Sequence, residues 1–371
     1  MPSMILYYFG LFWGLSIQCP IKRTVRPTVS GTPQVVGIAF SPKWNRDSCT
    51  STFVSGRELW TCRDSQDSEG AFLSSTASWT DFYANGTPAI SNQNLLMYGE
   101  NPTSHAYFEV QANECGPSVS GDCSDGNRYI IWPNSRPLPV ERTNGIVSLY
   151  TWIGNVLVDS DWTPLNGNPS CSLYRADYSP GFPENELPPA VLLDEEFWPV
   201  NSIQYGNYGF VINNNTAYLY GLLSNKSGVA LAMVPIDLIE DKSAYQYYTG
   251  SGWSSIAPDI NDTSAAIANA GTMGQGTYYY SDYFSSYIWI GSPYIGGNAN
   301  FQLTTAPAPE GPWIEPYTIY SGKQGSANLG AYSEQAHPGL SKDFGNGNDI
   351  YLTYTMVDSE YITPIIHVIW E

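Results

Sequence analysis

Basic side chains are scarce in this chain. Its 371 residues include 15 Lys plus Arg and three His against 34 Asp plus Glu, for a formal net charge of −19. Such a chain lacks the basic patches that nucleic acid and anionic membrane surfaces attract, so neither is expected as a partner. Sustained helical periodicity is also missing, and residues 234–244 hold no more than a short helical turn. No HExxH, paired CxxC, P-loop, GxSxG or EF-hand loop occurs. His105, His337 and His367 lie far apart in sequence, so no catalytic metal and no cofactor is expected. The apolar run at residues 4–17 is too short to span a bilayer comfortably. It stands where a signal peptide stands, and residues 1–19 are expected to be one.

What the chain has in abundance is aromatic and turn-forming residues: 28 Tyr, 12 Trp, 13 Phe, 34 Gly and 27 Pro. Few charges with many aromatics and turn residues describe an all-β protein. Glycosylation acceptors at Asn85, Asn214, Asn225 and Asn261 carry meaning only on a secretory route. Together with the leader they point to a secreted, extracellular protein.

The densest information lies in residues 46–66, RDSCTSTFVSGRELWTCRDSQ. Ser55-Gly56 is a two-residue turn of the kind that joins antiparallel strands. Folding there sets Val54 against Arg57, Phe53 against Glu58 and Cys49 against Cys62. Two steps further, Asp47 meets Asp64. Side chains alternate along a strand, so both like pairs are expected on one face of the hairpin. Opposed Cα atoms about 4.5–5.5 Å apart suit a disulfide. Opposed carboxylates destabilise a sheet unless a shared proton, a cation or a substrate offsets them. Cys115 and Cys123 bracket a loop and are placed to pair, which leaves Cys171 free, but connectivity beyond the hairpin stays open.

An aromatic strand motif recurs at residues 58–64, 148–154, 217–223, 286–292 and 350–356, with starts 64 to 90 residues apart. Each copy follows a turn and another β-prone stretch. Repeats long enough for a four-stranded sheet predict a single five-bladed β-propeller over residues 33–371. Pairing of residues 35–40 with 364–370 would close the ring and cover both edges. The competing architecture is a β-sandwich with a second β domain. In the propeller, Asp47 begins the innermost strand of the first blade, near the mouth of the central channel.

Several stretches carry a resemblance: residues 46–47, 56–60 and 63–65, then 72–79 (FLSSTASW), 195–198 (EEFW), 241–247 (DKSAYQY), 304–313 (TTAPAPEGPW) and 335–338 (QAHP). On these the chain resembles the five-bladed propeller family catalogued as domain of unknown function 4185. Bacterial members of that family are grouped as glycoside hydrolase family 183 and hydrolyse D-arabinofuranose polymers. The resemblance spans nearly all of the chain after the leader, and the stretches from residue 72 onward look like those of fungal members. It implies Asp47 and Asp64 as the catalytic carboxylates and a polysaccharide or oligosaccharide as substrate. This chain carries Arg63 and Ser65 beside the second aspartate, where the bacterial members have Gly and Thr.

Glycosidic cleavage needs one protonated and one ionised carboxyl group, and opposed aspartates supply the difference because ionising one raises the pKa of the other. Arg63, Glu196, His337 and Trp79 are the expected substrate-binding residues. Glu334 is a possible third carboxylate. The resulting expectation is a secreted, monomeric glycoside hydrolase acting on furanose-containing, arabinan-like polysaccharide. Its rivals are a non-catalytic carbohydrate-binding propeller and a structural wall-associated glycoprotein.

Overall fold

Ser55 and Gly56 take left-handed φ values of 48° and 93° in the computed structural model, closing the hairpin where the sequence places its turn. The structure describes residues 24–371 except 116–118, 294–295, 327 and 342–344; the expected leader lies outside the described residues. The strands Cys49–Val54 and Arg57–Cys62 pair with Cys49 opposite Cys62 and Phe53 opposite Glu58. The same register continues beyond the disulfide. Asp47 N donates to Asp64 O at 2.9 Å, Arg63 N donates to Asp47 O at 3.0 Å, and Arg46 pairs with Ser65. Ser48, at φ 45°, turns the strand between the two like pairs. Cys49 and Cys62 therefore join an apolar cluster with Trp60 and Ile365, while Asp47 enters polar surroundings.

Among the described residues, five sheets are built mainly from consecutive antiparallel strands, the fifth also taking a parallel pairing of Gln34–Phe40 with Asn94–Leu96. The first holds the hairpin and Thr76–Thr80. The second runs Leu138–Glu141, Val147–Gly154, Cys171–Tyr178, Ala190–Trp198. The third begins Gly209–Asn213, Thr216–Leu222, Val229–Pro235, and the fourth runs from Gly276–Ser281 through Ser286–Gly291 and Ala299–Ala306 to Tyr317–Gly322. In the fifth, Tyr332–His337, Asp349–Val357 and Tyr361–Ile369 are followed by Gln34–Phe40 from the other end of the chain. Val35 pairs with Ile366 and Ile38 with Pro364, so the two ends cover each other's edges. All five aromatic motifs fall on the second strand of their sheets.

The first strands stand side by side. Side-chain bonds link them: Thr52 Oγ1 to Pro137 O, Asn134 Nδ2 to Asn207 Oδ1, Thr277 Oγ1 to Gln335 Oε1, and Ser51 Oγ with His337 Nδ1. The strand Gly209–Asn213 lies directly against Gly276–Ser281. Gly209, at φ 150°, permits this, since a Cβ there would stand 2.5 Å from the Tyr278 ring.

The apolar core is divided among the junctions between neighbouring sheets. Leu59 and Trp79 meet Leu149 and Tyr178; Trp152 meets Leu219; Tyr220 meets Tyr278 and Trp289; Ile288 meets Leu352; Trp60 meets Tyr351. Trp60, Trp79, Trp152 and Trp289 are fully buried in these wedges. Truncating any of them to Ala would cost about 3–5 kcal/mol.

Candidate active site

Two short sheets outside the repeats assemble the carboxylate site. One, Trp44–Arg46 with Ser65–Asp67 and Phe72–Leu73, prolongs the hairpin past Asp47 and Asp64. The other pairs Arg128–Ile130 with Val156–Val158, and its first residue reaches across to the hairpin.

Arg128 Nη1 donates to Asp64 Oδ2 at 2.8 Å and Nη2 donates to Oδ1 at 2.5 Å, a bidentate pair buried on both sides. Trp132 Nε1 donates to Asp64 Oδ1 at 3.0 Å. Arg128 is itself aimed by Ser120 O, which accepts from Nε at 2.8 Å within the loop closed by the Cys115–Cys123 disulfide.

Asp47 has different surroundings. Its carboxyl is buried and accepts from Ser48 Oγ at 2.6 Å, and Tyr332 is a second hydrogen-bond partner. Ser48 Oγ lies 2.6 Å from Ser333 Oγ, and the Gln275 side-chain amide meets Ser333 Oγ at 2.5 Å. Since Ser48 spends its proton on Asp47, the chain is ordered Gln275 to Ser333 to Ser48 to Asp47. Desolvation pushes the Asp47 pKa up, and the charge of Asp64 adds to that, while Arg63 and Ser48 oppose it. Arg63 is buried, donates from Nη2 to Asn134 Oδ1 at 2.5 Å and lies over the Trp132 ring at 5.3 Å.

Two cavities are lined by neighbours of the cluster, though by neither aspartate. One of 580 Å³ is lined by Asn134, the partner of Arg63, and by Gln275, Gln204, Asn207 and Thr272. The other, of 680 Å³, is bordered by Asn45, Gln66 and Tyr361. Tyr361 feels the charges of both aspartates, which with burial raise its pKa.

The structure thus brings together Asp47, Asp64 and Arg63. Trp79 is fully buried between the first and second sheets, under the Arg57 guanidinium at 4.1 Å, and donates Nε1 to Glu186 O. Glu196 is exposed on the outermost strand of the second sheet. His337 ends the strand Tyr332–His337. It is fully buried, bonded at 2.6 Å to both Ser51 Oγ and Thr353 Oγ1, and packed on Trp60. Burial, helped by Arg136, pulls its pKa down to about 3. Glu334 is buried near Ser292, and desolvation raises its pKa to about 7. None of these four joins the carboxylate cluster.

Sequence reasoning missed Arg128, Trp132, Ser48, Tyr332 and Gln275. It also missed Glu58, a buried carboxyl lifted to about 8 by desolvation, whose Oε1 accepts from Ser51. Arg128, Trp132, Tyr332 and Gln275 act from strands or loops far along the chain, and no local pattern marks them.

No protein-family model matches the chain, and no curated protein matches it. Solved structures do. A candidate hydrolase of Bacteroides ovatus shares 12% identity over 89% of this chain and 87% of its own, with a TM-score of 0.56. The exo-β-1,3-galactanase of Phanerochaete chrysosporium, at 12% identity, covers 92% of this chain and 64% of its own, with a TM-score of 0.47. An exo-1,5-α-L-arabinanase from a bovine ruminal metagenomic library, at 11% identity, covers 88% and 96%, with a TM-score of 0.43. At such identities the first likeness is one of fold, and the fold is all-β.

Proposed function

We propose that the five sheets are the blades of one five-bladed β-propeller over residues 33–371, and that the protein is a secreted glycoside hydrolase acting on arabinan-like, furanose-containing polysaccharide. The observation that carries the activity is the unequal environment of two aspartates on paired backbone. Asp47, desolvated and beside the charge of Asp64, is the general acid. Asp64, in an ion pair with Arg128, is the carboxylate that acts as base or nucleophile. Unequal surroundings of this kind separate the acid from its partner carboxylate.

The ring of side-chain bonds between first strands, the junction-by-junction core and the pairing of the two chain ends support the propeller. The resemblance to the domain of unknown function 4185 and glycoside hydrolase family 183 supports the substrate class. Secretion is supported by two disulfides and by four acceptor asparagines that all lie on exposed surface. Among the described residues, no helix is long and apolar enough to cross a membrane.

One observation favours a second reading. Both Asp64 oxygens are already engaged by Arg128 and Trp132, as in a structural ion pair of a carbohydrate-binding propeller without catalysis. Incubating the purified protein with arabinan, galactan and xylan and measuring new reducing ends separates the two. Release from arabinan that disappears in Asp47→Asn is the expected result. Binding without release would replace the enzyme with the binding module.

A further inference from the structure

Trp162 is the outlier of this surface. Its side chain is large and apolar, yet the residue is 55% exposed beside a buried ion pair. Its backbone sits at φ 64°, a left-handed conformation that a bulky residue adopts only at a cost. The loop enforces it. Asp159 Oδ1 accepts from Asp161 N and Thr163 N, each at 2.9 Å, and Asp159 O accepts from Trp162 N at 3.0 Å. This loop leaves the strand Val156–Val158, the partner of the strand that begins with Arg128.

The indole it presents is not isolated. It stacks on Trp132 with centroids 6.0 Å apart and planes 22° from parallel, and the Arg128 guanidinium lies 5.5 Å from its centroid. Trp132 has spent its only donor on Asp64. Trp132 therefore offers only ring surface and Trp162 a ring with its indole N–H, and that surface begins at Asp64 and leads outward by one ring. An apolar, planar, preorganised surface suits the CH face of a sugar. A chain with net charge −19 disfavours a polyanionic one.

We propose that Trp162, backed by Trp132, is the platform for a neutral sugar unit next to the unit cleaved, so that it selects for oligomeric substrate. This inference rests on the hydrolase reading above. It assigns Trp162 a binding role and no part in proton transfer.

The test uses the full-length protein carrying Asp47→Asn, which removes turnover, titrated with arabinan oligosaccharides by calorimetry and by tryptophan fluorescence. Adding Trp162→Ala is expected to weaken binding about tenfold, a typical scale for one aromatic stack, while Trp162→Phe recovers most of it. The fluorescence change on binding should shrink in Trp162→Ala. In the Asp47-containing enzyme, Trp162→Ala should raise KM far more than it lowers kcat, and more for longer oligosaccharides than for the disaccharide. Unchanged affinity and chain-length preference in Trp162→Ala would overturn the platform and leave hydrolysis by Asp47 and Asp64 standing. Hydrolysis that survives Asp47→Asn would sink the catalytic assignment, while the platform would still be judged by binding. No binding of any oligosaccharide by either protein would overturn both.

Discussion

Arg128 holds both carboxylate oxygens of Asp64, 64 residues away in the chain, and it does so from a two-stranded sheet that belongs to none of the five repeats. This pair changes the energetics of the opposed aspartates. Taken alone, two like charges across a hairpin repel, and replacing either should relieve strain. With a guanidinium seated on one of them, the two replacements are no longer equivalent.

Asp47→Asn should abolish arabinan hydrolysis while the melting temperature stays level or rises. The side chain is buried and its acid form is favoured by desolvation, so a neutral amide costs little there. A thermal scan beside a reducing-sugar assay checks both halves, and a fall in melting temperature would mean that Asp47 serves the fold.

Asp64→Asn should lose activity and stability together. It takes the bidentate, buried partner from Arg128 and leaves only the exposed Asp122 at 3.9 Å, at a cost of about 3 kcal/mol. Arg128→Ala should cost a similar amount, and the double variant should be less destabilised than the sum of the two. Urea denaturation of the four proteins gives the coupling; strict additivity would show that the pair contributes nothing.

Glu58 makes stability depend on pH. Its carboxyl is raised from 4.5 to about 8 in the fold, so between these values the folded state binds more protons than the unfolded state. Stability conferred by this group is therefore full below about pH 4.5 and is lost as pH rises toward 8, by at most about 1.4 kcal/mol per unit. His337 has the opposite sense: lowered from 6.5 to about 3, it supports the fold above pH 6.5 and ceases to do so as pH falls toward 3. Glu334, raised to about 7, acts in the same sense, so Glu58→Gln should shrink the decline between about pH 4.5 and 8 without abolishing it, and keep the one on the acid side. Denaturation series across this range would contradict the account if the variant followed the wild-type curve.

The Cys49–Cys62 disulfide closes a loop with a sequence separation of 13. Its removal in the paired Cys→Ser variant should cost about 3 kcal/mol. Non-reducing peptide mapping should find Cys49 joined to Cys62 and Cys171 as a free thiol, since Cys171 is buried with its pKa raised by desolvation. A free Cys49 would break the register on which Asp47 and Asp64 are placed.

Much of the molecule was legible locally. The Ser55-Gly56 turn, the residues that face each other across it and the disulfide all follow from the geometry of a two-residue hairpin. The five aromatic motifs lie on second strands because a strand covered on both faces needs a dense apolar run, and that shows in sequence. Trp79 marks the limit of this reasoning. A conspicuous tryptophan reads equally well as a sugar platform or as core, and only the neighbouring sheet decided for core.

By itself, the sequence determined what depends on nearby residues: the all-β character, the hairpin register, the pairing of Asp47 with Asp64 and the scarcity of cations. Tertiary structure alone decided what those aspartates face. Which guanidinium reaches Asp64, and which serines order their protons toward Asp47, depends on how distant strands and loops stack against the hairpin. So does the exposure of Trp162, whose loop is shaped by Asp159 but whose ring is placed by Trp132. The energies that fix these positions come from desolvation and ion pairing, and both act through space without regard to separation along the chain.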